Sequence, residues 1–308
     1  MYFDLHCDTV TVLNREHARL ARNERMVSLE KGRTLKNWAQ TYAIFMPDHL
    51  RGPEAVEFYE DNLAFFRREM AENAGKVSSA VRYGDIAGAW QRGEAAAVLA
   101  VEGGSVLAGD ITRVEKLADD GVKFLTLTWN GKNELGSGND TQEGLSDFGR
   151  EAVGELERRG IAVDVSHLND KGFDDLVHTA KKPFIATHSN LRAVCGHKRN
   201  LTDDQFREIV RRGGIVGINF CKAFLNDDKE KAGFPDLVRH IERMLMLGGE
   251  DVIAMGSDFD GTTVPEGMES VEKLADVERY LLKAGLGEKQ TEKIMGGNAC
   301  AFFRRMWG

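Results

Sequence analysis

Along the 308-residue chain, short apolar runs rich in β-branched residues alternate with longer stretches in which apolar positions recur every three or four residues. The first pattern suits a strand buried on both faces and the second a helix with one apolar stripe; repeated end to end, they predict βα units around parallel strands. Eight runs read as strands: residues 2–9 (YFDLHCDT), 39–47, 95–104, 123–129, 161–168, 183–189, 214–220 and 251–261. Between the second and third, VEFYEDNLAFFRREM and DIAGAWQRG predict two extra helices, with a short extended piece, KVSSAV, between them. Thr202 followed three residues on by Gln205 is a capping-box pattern that starts a helix over FREIVRR, and Gly213-Gly214 stops it. The last helix, EKQTEKIMGGNACAFFRRMW, should break or kink near Gly296-Gly297.

Eight strands with interleaved helices fit an α/β fold of the (β/α)8 TIM-barrel type better than an open doubly wound sheet. No GxGxxG follows the first strand, and VEGGSVLAG lacks the Lys-Ser/Thr of a phosphate loop. The expectation is one barrel domain over residues 1–308, with the extra helices inserted between strands two and three and a helix closing the C-terminus.

In a parallel barrel the chemistry gathers where strands end, and unusual polar residues fall there repeatedly. His6 and Asp8 close the first strand, Glu102 the third, His167 the fifth, His188 the sixth, and Asp258 and Asp260 the eighth. Alternation sends His6 and Asp8 to one face and Cys7 toward the helices, where it acts as a small buried hydrophobe. Asp4, two residues deeper, becomes a candidate for orienting a ligand. Burying an uncompensated carboxylate or imidazole costs several kcal/mol, and a divalent cation would compensate it. His6, Asp8, Glu102, His167 and His188 suffice for two ions if Glu102 bridges them, an arrangement suited to hydrolysis. His17, His49, His178 and His240 read as surface or packing residues, and His197 as a loop residue within reach of solvent or substrate.

Composition removes alternatives. A net charge of -8 and only five prolines argue against a nucleic-acid surface or a disordered arm, and no window resembles a membrane span. The N-terminus has no basic or apolar leader pattern, and the four cysteines lie far apart without CxxC, so a reduced, cytoplasmic protein is expected. A homodimer is compatible with all of this.

The stretches LHCDT, VEGG, LTLTWN, VDVSH, ATHSNLRAVCGHKRNL and GSDFDG, in this order, resemble the membrane (renal) dipeptidase family, the M19 metallopeptidases. The resemblance implies a (β/α)8 barrel with two zinc ions that hydrolyses dipeptides, including those with a C-terminal D-residue. His6 and Asp8 would bind one zinc, His167 and His188 the other, and Glu102 would bridge. Arg199 matches the arginine that holds the dipeptide carboxylate; on residues alone it could equally pair with Asp203 or Asp204. Asp258 matches the proton-shuttling aspartate, although near a dication it could also be a ligand, and Asp260 is the second candidate. After LTLT, where animal members carry a histidine, this chain has Trp129 and then Asn130, a substrate-side pair in which Asn130 could donate in the imidazole's place. The alternative substrate is another carboxylate-bearing amide, such as an N-acyl amino acid.

Overall fold

The structure, a computed structural model, describes residues 1–308. Its strands are β1 (Tyr2–Cys7), β2 (Trp38–Phe45), β3 (Val77–Ser79), β4 (Ala95–Glu102), β5 (Val122–Thr126), β6 (Ala162–Asp164), β7 (Val216–Ile218) and β8 (Ile253–Met255). All pair in parallel, in the order β6-β5-β4-β2-β1-β8-β7. The remaining gap is filled by the predicted sixth strand. Its Ile185 bridges Asp164 of β6 and its Ala186 bridges Val216 of β7, with bonds such as Val165 N–H to Ile185 O at 2.8 Å and Gly217 N–H to Ala186 O at 2.8 Å. The ring is therefore a (β/α)8 barrel. Gly217 and Gly256 make this closure feasible, because a Cβ on either would overlap the Thr187 carbonyl oxygen.

KVSSAV forms a ninth strand outside the ring, β3, pairing with the first residues of β4 below the point where β5 joins. The flanking helices Gly52–Glu72 and Tyr83–Gln91 lie as expected. Thr202 caps Asp203–Arg212 by the reciprocal pattern read from the sequence, its hydroxyl accepting from Gln205 N–H at 3.2 Å while Gln205 Oε1 accepts from Thr202 N–H at 2.8 Å. The last helix is interrupted at Gly296, where a Cβ would press on the β1 backbone at Phe3 N, and resumes over Asn298–Trp307.

Alternation assigns the two faces of the wall. Ala96, Val98 and Ala100 of β4 pack inside the barrel with Phe124, Ile185 and Ala254, and the C-terminal helix adds Phe303 at the base. On the outer face Tyr42 and Ile44 belong to the same apolar layer as Leu63 and Leu156 of the surrounding helices. The first strand departs from strict alternation. Phe3 and Leu5 face the interior, Cys7 faces the helices, and the register with β2 shifts between Asp4 and Cys7. That irregularity, a β-bulge, turns His6 inward after Leu5 and leaves Asp4 on the other face, paired with Gln40. Asp4 thus does not share the face of His6; its oxygens accept from Ser257 N–H and Gln40 Nε2, both at 2.8 Å.

Several strands end earlier than their apolar runs suggested. β6 stops at Asp164, and β8 spans only Ile253–Met255. Beyond them the chain curls through left-handed backbone at His167 (φ 71°), Asp258 (φ 61°) and Asp260 (φ 66°). These turns re-aim side chains that an extended strand would have sent to alternate faces. A cavity of about 820 Å³ opens at the opposite end of the barrel beside Trp38 and Ala95, where β2 and β4 begin.

Candidate metal centre

Where the strands end, three of the predicted histidines converge on one carboxylate, Glu102. Glu102 Oε1 lies 2.8 Å from His167 Nε2 and 3.4 Å from His188 Nε2, while Oε2 lies 3.4 Å from His6 Nε2. Asp8 Oδ2 is 3.8 Å from His6 Nε2. Ligand atoms of His6, Glu102 and His188 lie within 4.8 Å of one another, as do those of His6, Asp8 and Asp258. All six residues are buried.

The far imidazoles are oriented by neighbours. His167 Nδ1 meets Asn130 Oδ1 at 2.9 Å, and an amide oxygen only accepts, so Nδ1 carries the proton. His188 Nδ1 meets Thr187 Oγ1 at 2.8 Å, and that hydroxyl donates its own proton to Asp164 at 2.6 Å, so here too Nδ1 donates. Both Nε2 atoms therefore present lone pairs, 3.1 Å apart and against Glu102 Oε1. Three acceptors facing one point with no donor among them fit a cation. On the near side, His6 Nε2 and Asp8 Oδ1 are buried without a hydrogen-bond partner, which fits the same assignment.

The electrostatics agree. Burial, with Arg199 adding to it, lowers His167 to about 4, and burial, then His6 and Arg199, hold His188 well below its ordinary value, so both rings are neutral as metal ligands must be. Burial would lower His6 as well, yet Glu102 and Asp8 overcome it and raise it well above the usual imidazole range. Burial followed by the charge of Glu102 lifts Asp8 to about 8. The pocket favours positive charge between its carboxylates.

Asp258 stands beside this cluster. Its Oδ2 accepts from Asn219 Nδ2 at 3.0 Å, and burial, reinforced by Glu102 and opposed by His6, lifts its carboxyl to about 6. Gly261 leaves room for it: a Cβ there would strike both Asp8 Oδ2 and Asp258 Oδ1. Asp260, the second candidate, turns away. Its carboxylate accepts from Thr9 Oγ1 at 2.6 Å and Met26 N–H at 2.7 Å, because the strand ends at Met255 and the left-handed turns part the two aspartates.

Arg199 is 4% exposed and pairs with neither Asp203 nor Asp204, which are taken by Arg243 and Arg207. Its Nη1 donates to Ser189 Oγ at 2.9 Å and its Nη2 to His188 O at 3.1 Å, leaving Nε without a partner. A buried guanidinium with only neutral partners is a ready anion site. Trp129 packs edge-on to Phe45 and lies 6.3 Å from the His167 ring. Asn130 touches His167 through the oxygen of its amide. His197, read as open to solvent or substrate, packs at a tilt against Phe224 and accepts from Arg199 N–H at 3.2 Å.

A family model described as membrane dipeptidase (peptidase family M19) matches residues 1–306. The chain belongs to that family. Membership makes it a dipeptidase of the metallopeptidase class. It is 32% identical over 265 residues to an uncharacterized protein in the pqqA 5' region of Klebsiella pneumoniae, covering 82% of this chain and 98% of that one. Among solved structures it resembles a metallopeptidase from Rhodobacter sphaeroides liganded with a phosphinate mimic of the dipeptide L-Ala-D-Ala: TM-score 0.93, 27% identity, 99% of each chain covered. The dipeptidase AC, also of family M19, matches with TM-score 0.93 and 28% identity over 100% of this chain and 98% of that one. No helix is long and apolar enough to cross a membrane.

Sequence reasoning missed two supporting residues, Asp164 and Asn219. The signal for Asp164 was present, since it is a carboxylate inside the same buried run, AVDVSH, that drew attention to His167.

Proposed function

We propose that this M19 dipeptidase works with two zinc ions, one held by His6 and Asp8, the other by His167 and His188, with Glu102 bridging. The observation that carries the reading is the meeting of three acceptor atoms, His167 Nε2, His188 Nε2 and Glu102 Oε1, within 3.4 Å of one another. Two divalent cations held there would supply a water of lowered pKa and polarisation of a carbonyl.

The chain's own groups do the rest. Arg199 offers its free Nε edge to the carboxylate of a dipeptide, which fixes how far the scissile bond lies from the cluster. Asp258 takes the proton of the attacking water and returns it to the leaving amine, and its carboxyl near 6 suits both directions at neutral pH. Asn219 holds that carboxylate toward the cluster, and Trp129 with Phe45 walls the side next to His167. The relative liganded with a mimic of L-Ala-D-Ala supports extending the substrate range to C-terminal D-residues. A cytoplasmic location, argued from the four free, buried cysteines, belongs to the same reading.

The test is to count bound metal in the purified protein and assay L-L and L-D dipeptides beside their N-acetylated forms, before and after chelation. Two zinc equivalents and cleavage confined to free dipeptides are expected. Cleavage that survives complete metal removal overturns the mechanism, and equal cleavage of N-acetylated forms replaces the dipeptide by an N-acyl amino acid.

A further inference from the structure

We infer that Asp164 is a positioning residue that, through the Thr187 hydroxyl, fixes His188 in the tautomer able to bind metal. The inference rests on the proposed metal site. Asp164 is fully buried, and across the wall it lies in register with Thr126 and Glu102. Its Oδ1 accepts two backbone N–H groups, Ser166 at 3.0 Å and Thr187 at 2.9 Å. Its Oδ2 accepts two hydroxyls, Thr126 and Thr187, both at 2.6 Å.

With every position on Asp164 accepting, the Thr187 hydroxyl has one direction in which to donate. Its oxygen is then obliged to accept from His188 Nδ1–H at 2.8 Å, and the lone pair of that ring is left on Nε2, facing Glu102 and His167. Oriented carboxylates behind metal-binding histidines commonly act directly on the ring; here a hydroxyl is interposed. The inserted hydroxyl makes the chain directional. Asp164→Asn places an NH2 donor opposite Thr187, so the hydroxyl can accept from it and donate to Nδ1. His188 would then carry its proton on Nε2, the wrong atom for a cation. Asp164 also ties β6 to the 183–187 segment, and the test must separate that structural work from the tautomer.

The experiment titrates zinc alone, against a competing chelator, into Asp164→Asn, Thr187→Val, Thr187→Ser, Thr126→Val and His188→Ala, with 15N NMR of the histidine rings in the metal-stripped proteins. Asp164→Asn and Thr187→Val should weaken zinc binding by about 10–100-fold, and the His188 signal should move toward the Nε2-protonated form in Asp164→Asn. Thr187→Ser, which keeps the hydroxyl, should bind zinc within about twofold of the parent, and so should Thr126→Val, which removes a hydroxyl from the same carboxylate without touching His188. The relay is overturned if Asp164→Asn and Thr187→Val bind zinc like the parent while His188→Ala does not, or if Thr126→Val weakens zinc as much as Thr187→Val. Unchanged zinc affinity in His188→Ala instead removes the ligand assignment on which the relay depends.

Discussion

The two halves of the site are built differently. On the β1 side, His6 Nε2 and Asp8 Oδ1 are buried without partners. On the far side, His167 and His188 each have Nδ1 engaged, by Asn130 and by Thr187, before any ligand is considered. The far imidazoles are oriented by protein hydrogen bonds on Nδ1 while their Nε2 atoms still face one another without a donor, whereas no such bond orients the near pair. Each unsatisfied buried group costs about 1–3 kcal/mol, so a metal bound as proposed would be expected to contribute more to folding at the β1 side.

Glu102 belongs to both halves, and its loss should erase the distinction. Glu102→Gln is expected to release both zinc equivalents and lower kcat/KM by about 10⁴-fold, corresponding to several kcal/mol of metal-supplied stabilisation; metal analysis and steady-state kinetics check this. Asp258→Asn should keep both ions and lower kcat by about 10²–10³-fold, which would mark Asp258 as a proton carrier. Loss of one equivalent in the same variant would make it a ligand.

The comparison itself is sharpened by two milder substitutions. Asp8→Asn should weaken one zinc-binding step and Asn130→Ala the other, each by about 10–100-fold, with Asp8→Asn affecting the weaker step. Calorimetric titration distinguishes the steps, and equal effects of both variants on a single step would dissolve the two-half description.

A histidine with both nitrogens satisfied provides the reference case. His240 Nδ1 accepts from Leu191 N–H, and Nε2–H donates to Leu225 O, both at 3.2 Å. Burial lowers this ring to about 4, below the roughly 6.5 of an unfolded imidazole. The folded form therefore resists protonation, and the contribution is fully present above pH ~6.5 and lost as pH falls toward 4, on the order of 3 kcal/mol. Denaturant titrations of metal-free protein should show a flatter slope over that window in His240→Gln, with little effect on turnover at neutral pH.

Much of this was legible in the chain. The eight barrel strands followed from apolar runs, and the five proposed ligands from polar residues that ended them, because a buried wall admits such residues only for a reason. What periodicity could not supply was the geometry beyond each strand. A β-bulge between Asp4 and Cys7 separated Asp4 from His6, and left-handed turns separated Asp258 from Asp260. Both depend on one or two backbone angles set by tertiary contacts. Asn130, expected on the substrate side, also meets His167 through its amide oxygen, a contact that periodicity does not show.

The left-handed backbone at His167 and Asp258 bears on how such a barrel could change over time. A non-glycine residue held at φ 71° or 61° costs on the order of 1 kcal/mol relative to glycine. Replacement of either by glycine would relieve that strain while deleting a reactive side chain. A duplicated copy freed from selection for hydrolysis could therefore drift toward a better-folding barrel with no chemistry, in a single substitution.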